Sequence, residues 1–485
     1  MFELDHDQKE AIGLTFVLNK LTPDSPYGVE KKKHIVPFGR SRRIEIAECF
    51  DNIEKMLVFA KQEKHLLGQI RHQLIQLKNI RGIVRKCEQS PLHEVEFFEM
   101  KGFLLIFQKL IELFYEANKK LNLTSVNFQS LEDALNILDP EGKRIAPFSI
   151  DEIHSSTLRE IRRKKLQIEM KIRSASTLME ASLMCERQRL VAAEATEEMR
   201  IMKILSRKLR VYARVFLDNL DMIGELDLMI AKALLALEYG AVRPIISDAH
   251  TIILNEMSNP YIEDALAKKG EKLTRTSITL TAGVTMITGA NMGGKSVAIK
   301  TMVLNTMLCQ LGFFVFASVA EIPLFDGVAL ISGDMQDIAQ GLSTFGAEIL
   351  LFDKIVQRLK TDFLFVALDE FARGTNPEEG AVIVRAVASY LSESTSISVM
   401  TTHYDKVVTP EFKHYQVVGL RNVDLDQIRE QGRTDVGRIA KYMDYTLIPA
   451  DEKASPPHDA LSICRLIELD SDVLDRIEAE YGEPR

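Results

Sequence analysis

Through most of the first 240 residues, apolar positions recur every three to four residues. The runs IEIAECFDNIEKMLVFAKQ (44–62) and FFEMKGFLLIFQKLIELFYEANKKL (97–121) predict amphipathic helices. A break falls at 122–150, where Asn and Ser accompany Asp139-Pro140, Gly142 and Pro147. From Ser155 to about Arg214 no Gly or Pro interrupts the chain, which predicts one or two extended helices. Near 245 the pattern changes. Short apolar runs at 284–288, 313–316, 328–332, 363–368 and 396–401 alternate with helical stretches. Strands alternating with helices predict an α/β domain with a mostly parallel sheet. The apolar stretch 303–320 is long enough to suggest a membrane span. Asn305, Gln310 and Gly312 interrupt it, and it reads as a helix followed by a buried strand.

Composition narrows the class. The 485 residues are 46% hydrophobic and 27% charged, enough to bury a sizeable core. MFELDHDQKE at the N-terminus is acidic and polar, unlike a secretory leader. Cys49, Cys87, Cys185, Cys309 and Cys464 are scattered, with no CxxC, so neither a disulfide framework nor a zinc site is expected and a cytoplasmic setting fits. The net charge of −8 is unevenly spread: residues 1–240 carry 38 basic and 35 acidic side chains, and 241–485 carry 23 and 34. Within 159–214 there are 15 basic and 7 acidic residues. That stretch reads either as a solvated helix face or as a basic arm able to follow a phosphate backbone.

The chemistry lies in the second half. Residues 289–296, GANMGGKS, fit GxxxxGK[ST] between an apolar strand and a helical stretch. Gly289, Gly293 and Gly294 allow a tight turn whose N–H groups face phosphates, and the following helix adds its positive end. Lys295 neutralises β/γ-phosphate charge, and the Ser296 hydroxyl can ligate Mg²⁺. The strand FLFVALDE (363–370) ends in two carboxylates. Asp369 is placed for the magnesium shell, and Glu370 to orient and deprotonate the attacking water. A further strand, SISVMTTH, ends in His403, either a structural residue or a sensor of the γ-phosphate. GLSTFGAE (341–348) offers the hydroxyls of Ser343 and Thr344 to an oxyanion, or forms an ordinary ST-turn.

Together these segments resemble the ATPase domain of the MutS family. GANMGGKSV matches that family's phosphate loop, QDIAQGLSTFGAE its signature segment, DEFARGT (369–375) its magnesium strand and THY (402–404) its switch. The resemblance is firm from about 220 to 405, and LDPEGKRIAPFSIDEIHSSTLREIRRK (138–164) resembles the entry to the family's lever helices. It implies an α-helical core and lever domain followed by an α/β P-loop ATPase domain of ABC type. The expected boundaries are 1–137 helical core, 138–240 lever helices returning to it, 241–440 ATPase, and 441–485 C-terminal strand and dimerising helices. It further implies ATP and Mg²⁺ as ligands. Asn291 and Val297 would join the phosphate pocket, and two domains would pair so that Ser343 and Thr344 of one chain reach the γ-phosphate held by Lys295 of the other. The pair would be a homodimer, or a heterodimer with a MutS-like paralogue. Arg373 would brace the dimer or the strand exit.

The match also has gaps. Gln336 stands where the family has a first Asp, and no base-stacking aromatic stands ahead of the phosphate loop. The family's mismatch readers carry a Phe-x-Glu wedge. Phe97-Phe98-Glu99 copies it only superficially, inside a helical stretch that predicts a core-facing helix. Two cargoes follow. One is DNA in mismatch repair or recombination, held by the basic levers 159–214 without a mismatch-reading domain. The other is a protein client, because short MutS-like proteins of this layout resemble ATPases that reactivate adenosylcobalamin-dependent aminomutases.

Overall fold

The structure is a computed structural model that describes residues 4–145, 147–173, 177–289, 294–333, 344–404, 407–420, 443–450, 461, 464, 467 and 469–482. Helices come first: α1 (His6–Ala11), α2 (Leu14–Lys20), α3 (Pro26–Lys33), α4 (Arg43–Gln62), α5 (Lys64–Gln76), α6 (Arg81–Gln89), α7 (Glu94–Leu121), α8 (Glu132–Leu138), α9 (Ser156–Arg173), α10 (Thr177–Arg210) and α11 (Ala213–Tyr239). Strands and helices then mix: β1 (Ile245–Ser247), β2 (Thr251–Met257), α12 (Pro260–Ala267), β3 (Thr276–Thr281), β4 (Gly283–Thr288), α13 (Lys295–Gln310), β5 (Val319–Pro323), β6 (Gly327–Ser332), α14 (Thr344–Leu359), β7 (Leu364–Asp369), α15 (Pro377–Ser392), β8 (Ile397–Thr401), β9 (Lys413–Gly419), β10 (Asp444–Pro449) and α16 (Ser471–Gly482). The chain forms two compact units, one of 1–21, 36–54 and 234–485, the other of 22–35 and 55–233.

The first unit holds two sheets. The larger has strand order β10-β9-β4-β8-β7-β6, and every neighbouring pair is parallel except β10 with β9. β4, β6, β7 and β8 are buried along their whole length, which explains their continuous apolar runs. Helices supply the cover: α13 packs on β7 and β8, α14 on β6, and α15 on β4. The smaller sheet, β1-β5-β2-β3, is antiparallel except for β1 with β5. The mostly parallel sheet expected from the sequence is therefore one of two.

Phe313–Phe316 is buried but is not the strand its composition suggests. Its amides turn to other partners. Phe313 N–H donates to Leu308 O, Val315 N–H to Val242 O in an isolated bridge, and Phe316 N–H to Asn305 Oδ1. The strand begins later, at Val319. The polar residues that interrupt the apolar stretch also pin α13. Asn305 Nδ2 donates to Ser258 O (3.1 Å) and Thr301 O (2.9 Å), and Gln310 Nε2 to Phe325 O (2.9 Å). Among the described residues, no helix is long and apolar enough to cross a membrane.

In the second unit, α7 is the central helix, and Phe103, Phe107 and Phe114 meet Phe128 and Phe216 at its side. Phe97 is wholly buried there beside the Phe148 ring, while Phe98 is exposed, so the wedge-like tripeptide lies in a helix that turns Phe97 to the core and Phe98 outward. Asp227 on α11 is fully buried. It accepts from Ser25 N–H (2.7 Å), Ser25 Oγ (2.6 Å) and Asp24 N–H (2.9 Å), so it anchors the turn into α3. The Gly-free stretch forms the α9–α10 pair, stitched by Arg162 to Glu194 and Glu198 (both 2.9 Å), Arg187 to Glu169 (2.9 Å) and Lys165 to Glu194.

Candidate active site

Parallel sheets bind ligands at the carboxyl ends of their strands, and the motif residues gather there. β4 ends at Thr288, and Gly289 turns the chain with φ +147°. Gly294, whose φ of +82° is left-handed, caps α13. Lys295 opens that helix. Its ammonium curls back to donate to Gly289 O at 2.7 Å and is 3% exposed. Burial lowers its pKa, and the nearby Glu370 and Asp369 carboxylates oppose the shift. A buried ammonium held on a backbone carbonyl is a donor that an anion's oxygen could take over. Asn291 and Gly293, both expected in the pocket, lie outside the described residues.

The hydroxyl and carboxylate expected to share a metal are in contact. Ser296 Oγ donates to Asp369 Oδ1 at 3.1 Å, and Thr401 Oγ1, at the end of β8, donates to the same oxygen at 2.6 Å. Burial raises the Asp369 pKa, while these two hydrogen bonds hold it down. Hard oxygen donors at a buried carboxylate suit Mg²⁺, which typically takes one or two carboxylates and completes its shell with phosphate and water.

Glu370 follows directly, with a left-handed φ of +50°, and Ala372 repeats the anomaly at +62°. Two such non-glycine residues cost on the order of 1–3 kcal/mol each and persist only where neighbours over-determine them. Glu370 N–H donates to Thr401 Oγ1 at 2.9 Å, and its carboxylate accepts from Arg373 Nη1 at 2.8 Å. Arg373 thus contacts Glu370 within its own chain. His403 lies two residues beyond β8, its ring 4.3 Å from that of Tyr404, and Thr402 N–H donates to Ile287 O at 3.1 Å, which ties the switch to β4. Thr344 opens α14, and Ser343 lies outside the described residues.

Beside the phosphate loop lies a cavity of about 750 Å³. Ser296, Val297 and Glu370 line one side, and Met257, Ile262, Leu266 and Tyr445 give it an apolar wall. Tyr445 packs on Gly294: a β-carbon at that glycine would fall 2.8 Å from Tyr445 Cδ1. Sequence reasoning sought an aromatic ahead of the loop and missed this one. Tyr445 comes from β10, far downstream, and reaches the loop only because β10 pairs with β9, itself the neighbour of β4. Strand order, which the sequence does not state, was the missing signal.

Comparison with known proteins agrees with this geometry. Residues 285–441 match the family profile described as MutS domain V. The chain is similar to proteins named endonuclease MutS2. With that of Caldicellulosiruptor saccharolyticus it shares 26% identity over 405 residues, covering 78% of this chain and 51% of the relative. With that of Streptococcus gordonii it shares 34% over 230 residues, 47% of this chain and 28% of the relative. With that of Halothermothrix orenii it shares 34% over 220 residues, 44% and 26% respectively. The chain spans about half the length of the first of these relatives. The matching profile covers the phosphate loop, the Asp-Glu strand and the His403 switch in order, so residues 285–441 are similar to MutS domain V.

Proposed function

We propose that this chain is a MutS-type ATPase that hydrolyses ATP to ADP and phosphate and couples the cycle to DNA held by its lever helices. The observation that carries the proposal is the joined pair of motifs: the phosphate-loop lysine curled on Gly289, and Ser296 in contact with Asp369. Gly289, Asn291, Gly293, Gly294 and Lys295 would cradle the phosphates, with Val297 beside them. Ser296 and Asp369 would hold Mg²⁺, which supplies charge neutralisation on the phosphates. Glu370 would take the proton of the attacking water, and His403 would sense the γ-phosphate. Tyr445 and the apolar wall would take the base. Ser343 and Thr344 would complete the site of a second chain in a dimer.

DNA is the cargo favoured by the lever surface. On α10, Arg189, Lys203 and Arg207 are exposed and stand 14 and 4 residues apart, near whole numbers of turns. Glu194 and Arg187 are engaged by α9 instead. This leaves a basic stripe suited to backbone phosphates.

Two measurements test the proposal. Glu370→Gln should keep ATP binding and lose turnover by about 10²-fold or more, while Lys295→Ala should lose binding. Normal turnover in Glu370→Gln would remove that residue as the base. For DNA, binding to duplex and branched substrates across a salt series should give a falling log–log line, shallower when Arg189, Lys203 and Arg207 are replaced by Ala. No binding at low salt would end the DNA reading.

A further inference from the structure

Beyond the residues that face the nucleotide, the backbone of one residue behind Glu370 is held on both sides, at its N–H and at its carbonyl. Ala372 N–H donates to Glu348 Oε2 at 2.9 Å, and Ala372 O accepts from Tyr404 Oη at 2.9 Å. Glu348 is 6% exposed and Tyr404 8%. The two come from different elements. Glu348 lies one turn into α14, and Tyr404 follows β8 in the switch segment. Four residues on from Glu348, on the same helix face, Phe352 packs against Phe371 with ring centroids 5.5 Å apart. Space for the tyrosine is reserved by Gly380 on α15: a β-carbon there would fall 2.4 Å from Tyr404 Oη and 3.2 Å from Ala372 O. Inside this cage the chain takes the two left-handed turns at Glu370 and Ala372.

We propose that Glu348 and Tyr404 are positioning residues that clamp the two peptide groups flanking the Ala372 α-carbon and thereby fix the backbone turn that aims Glu370. A carboxylate buried without a counter-cation is expensive unless it accepts hydrogen bonds, and burial raises the pKa of Glu348. The backbone N–H it takes from Ala372 gives it a reason to be there. The clamp joins three motifs that are far apart in sequence. The helix opened by Thr344 and the switch after β8 both grip the segment that carries the general base. A shift of α14 or of the switch would therefore move Glu370. The inference rests on the hydrolytic reading of the site in so far as it concerns turnover. The clamp itself can be read without it.

The test uses Glu348→Ala, Glu348→Gln and Tyr404→Phe in the full chain, with two readouts. In steady-state ATP hydrolysis, Glu348→Ala and Tyr404→Phe should each lower kcat about tenfold or more while KM and nucleotide affinity stay within about twofold, because the loss is orientation and not binding. Glu348→Gln keeps an acceptor oxygen and should recover most of the loss. The Glu348→Ala/Tyr404→Phe double variant should be no worse than about the poorer single one, since both hold the backbone of the same residue. In hydrogen exchange, residues 370–374 should exchange about tenfold faster in Glu348→Ala and Tyr404→Phe, with β4 and β7 unchanged. Unchanged exchange at 370–374, or a KM that rises in step with the fall in kcat, would overturn the proposal. A wild-type chain that turns over no ATP would overturn the hydrolytic reading, and the exchange readout would still decide the clamp.

Discussion

At Gly294 the phosphate loop meets the Tyr445 ring of the apolar cavity wall. The residue needs its glycine twice. Its φ of +82° is a region side chains avoid, and its missing β-carbon is the space Tyr445 occupies. Gly294→Ala should therefore lower nucleotide affinity by about tenfold or more, read by calorimetry or a fluorescent ATP analogue. Adding Tyr445→Ala would remove the clash but not the backbone strain, and it would also remove the ring face. Tyr445→Phe keeps that face and should bind ATP nearly as wild type does, whereas Tyr445→Ala alone should weaken binding severalfold, the worth of one aromatic contact. Equal affinity in Tyr445→Ala and wild type would remove Tyr445 from the base pocket. The phosphate-loop motif could be read from spacing because eight consecutive residues spell it. The base side was not, because strand pairing assembles it from β2, α12 and β10.

At the scale of elements, legibility followed local regularity. The helices at 44–62 and 97–121 and the strands at 284–288, 328–332, 363–368 and 396–401 were visible because each carries its own period or apolar run. Phe313–Phe316 misled because burial and aromatic content do not say where its amides go. The sheet β1-β5-β2-β3 was missed because its strands are short and mix polar with apolar residues. The lever pair was visible only as length, and its partners were not. At its base, Ser155 Oγ donates to Glu197 Oε1 at 2.6 Å, and Arg200 adds two more bonds at 2.7 and 2.8 Å. Arg200 first, then Ser155, pulls the Glu197 pKa from 4.5 to about 2. A carboxyl with a depressed folded-state pKa contributes stability above its ordinary value and loses it as pH falls through the folded one. The α9–α10 base should thus weaken between about pH 4.5 and pH 2. Glu197→Gln should be less stable at neutral pH and lose less on acidification, measured as denaturation midpoints at several pH values. Parallel acid profiles for variant and wild type would show that this carboxyl does not hold the base.

At the scale of the whole molecule, the strand order bears on whether one chain can complete its own site. The phosphate loop follows β4, and α14, which begins at Thr344, packs on β6. In the sheet β10-β9-β4-β8-β7-β6 those strands are three apart, roughly 14 Å at about 4.8 Å per strand. The backbone start of α14 is thus three strands from the phosphate loop of its own chain, which favours the proposed pairing in which this segment serves another copy's phosphates. If so, Ser343→Ala and Lys295→Ala damage opposite halves of a shared site. Each variant alone forms dimers in which both sites are broken. In a mixed dimer, one site combines the intact Lys295 of the first chain with the intact Ser343 of the second, while the other site collects both lesions. Random pairing of equal amounts makes about half the dimers mixed, so co-expressed chains should regain about a quarter of wild-type turnover, and neither variant should show it alone. The regained activity should fall on dilution with the dimer population. A mixture no more active than its components, with mixed dimers confirmed by mass, would mean that each chain supplies its own Ser343, and the paired-site mechanism would have to be abandoned.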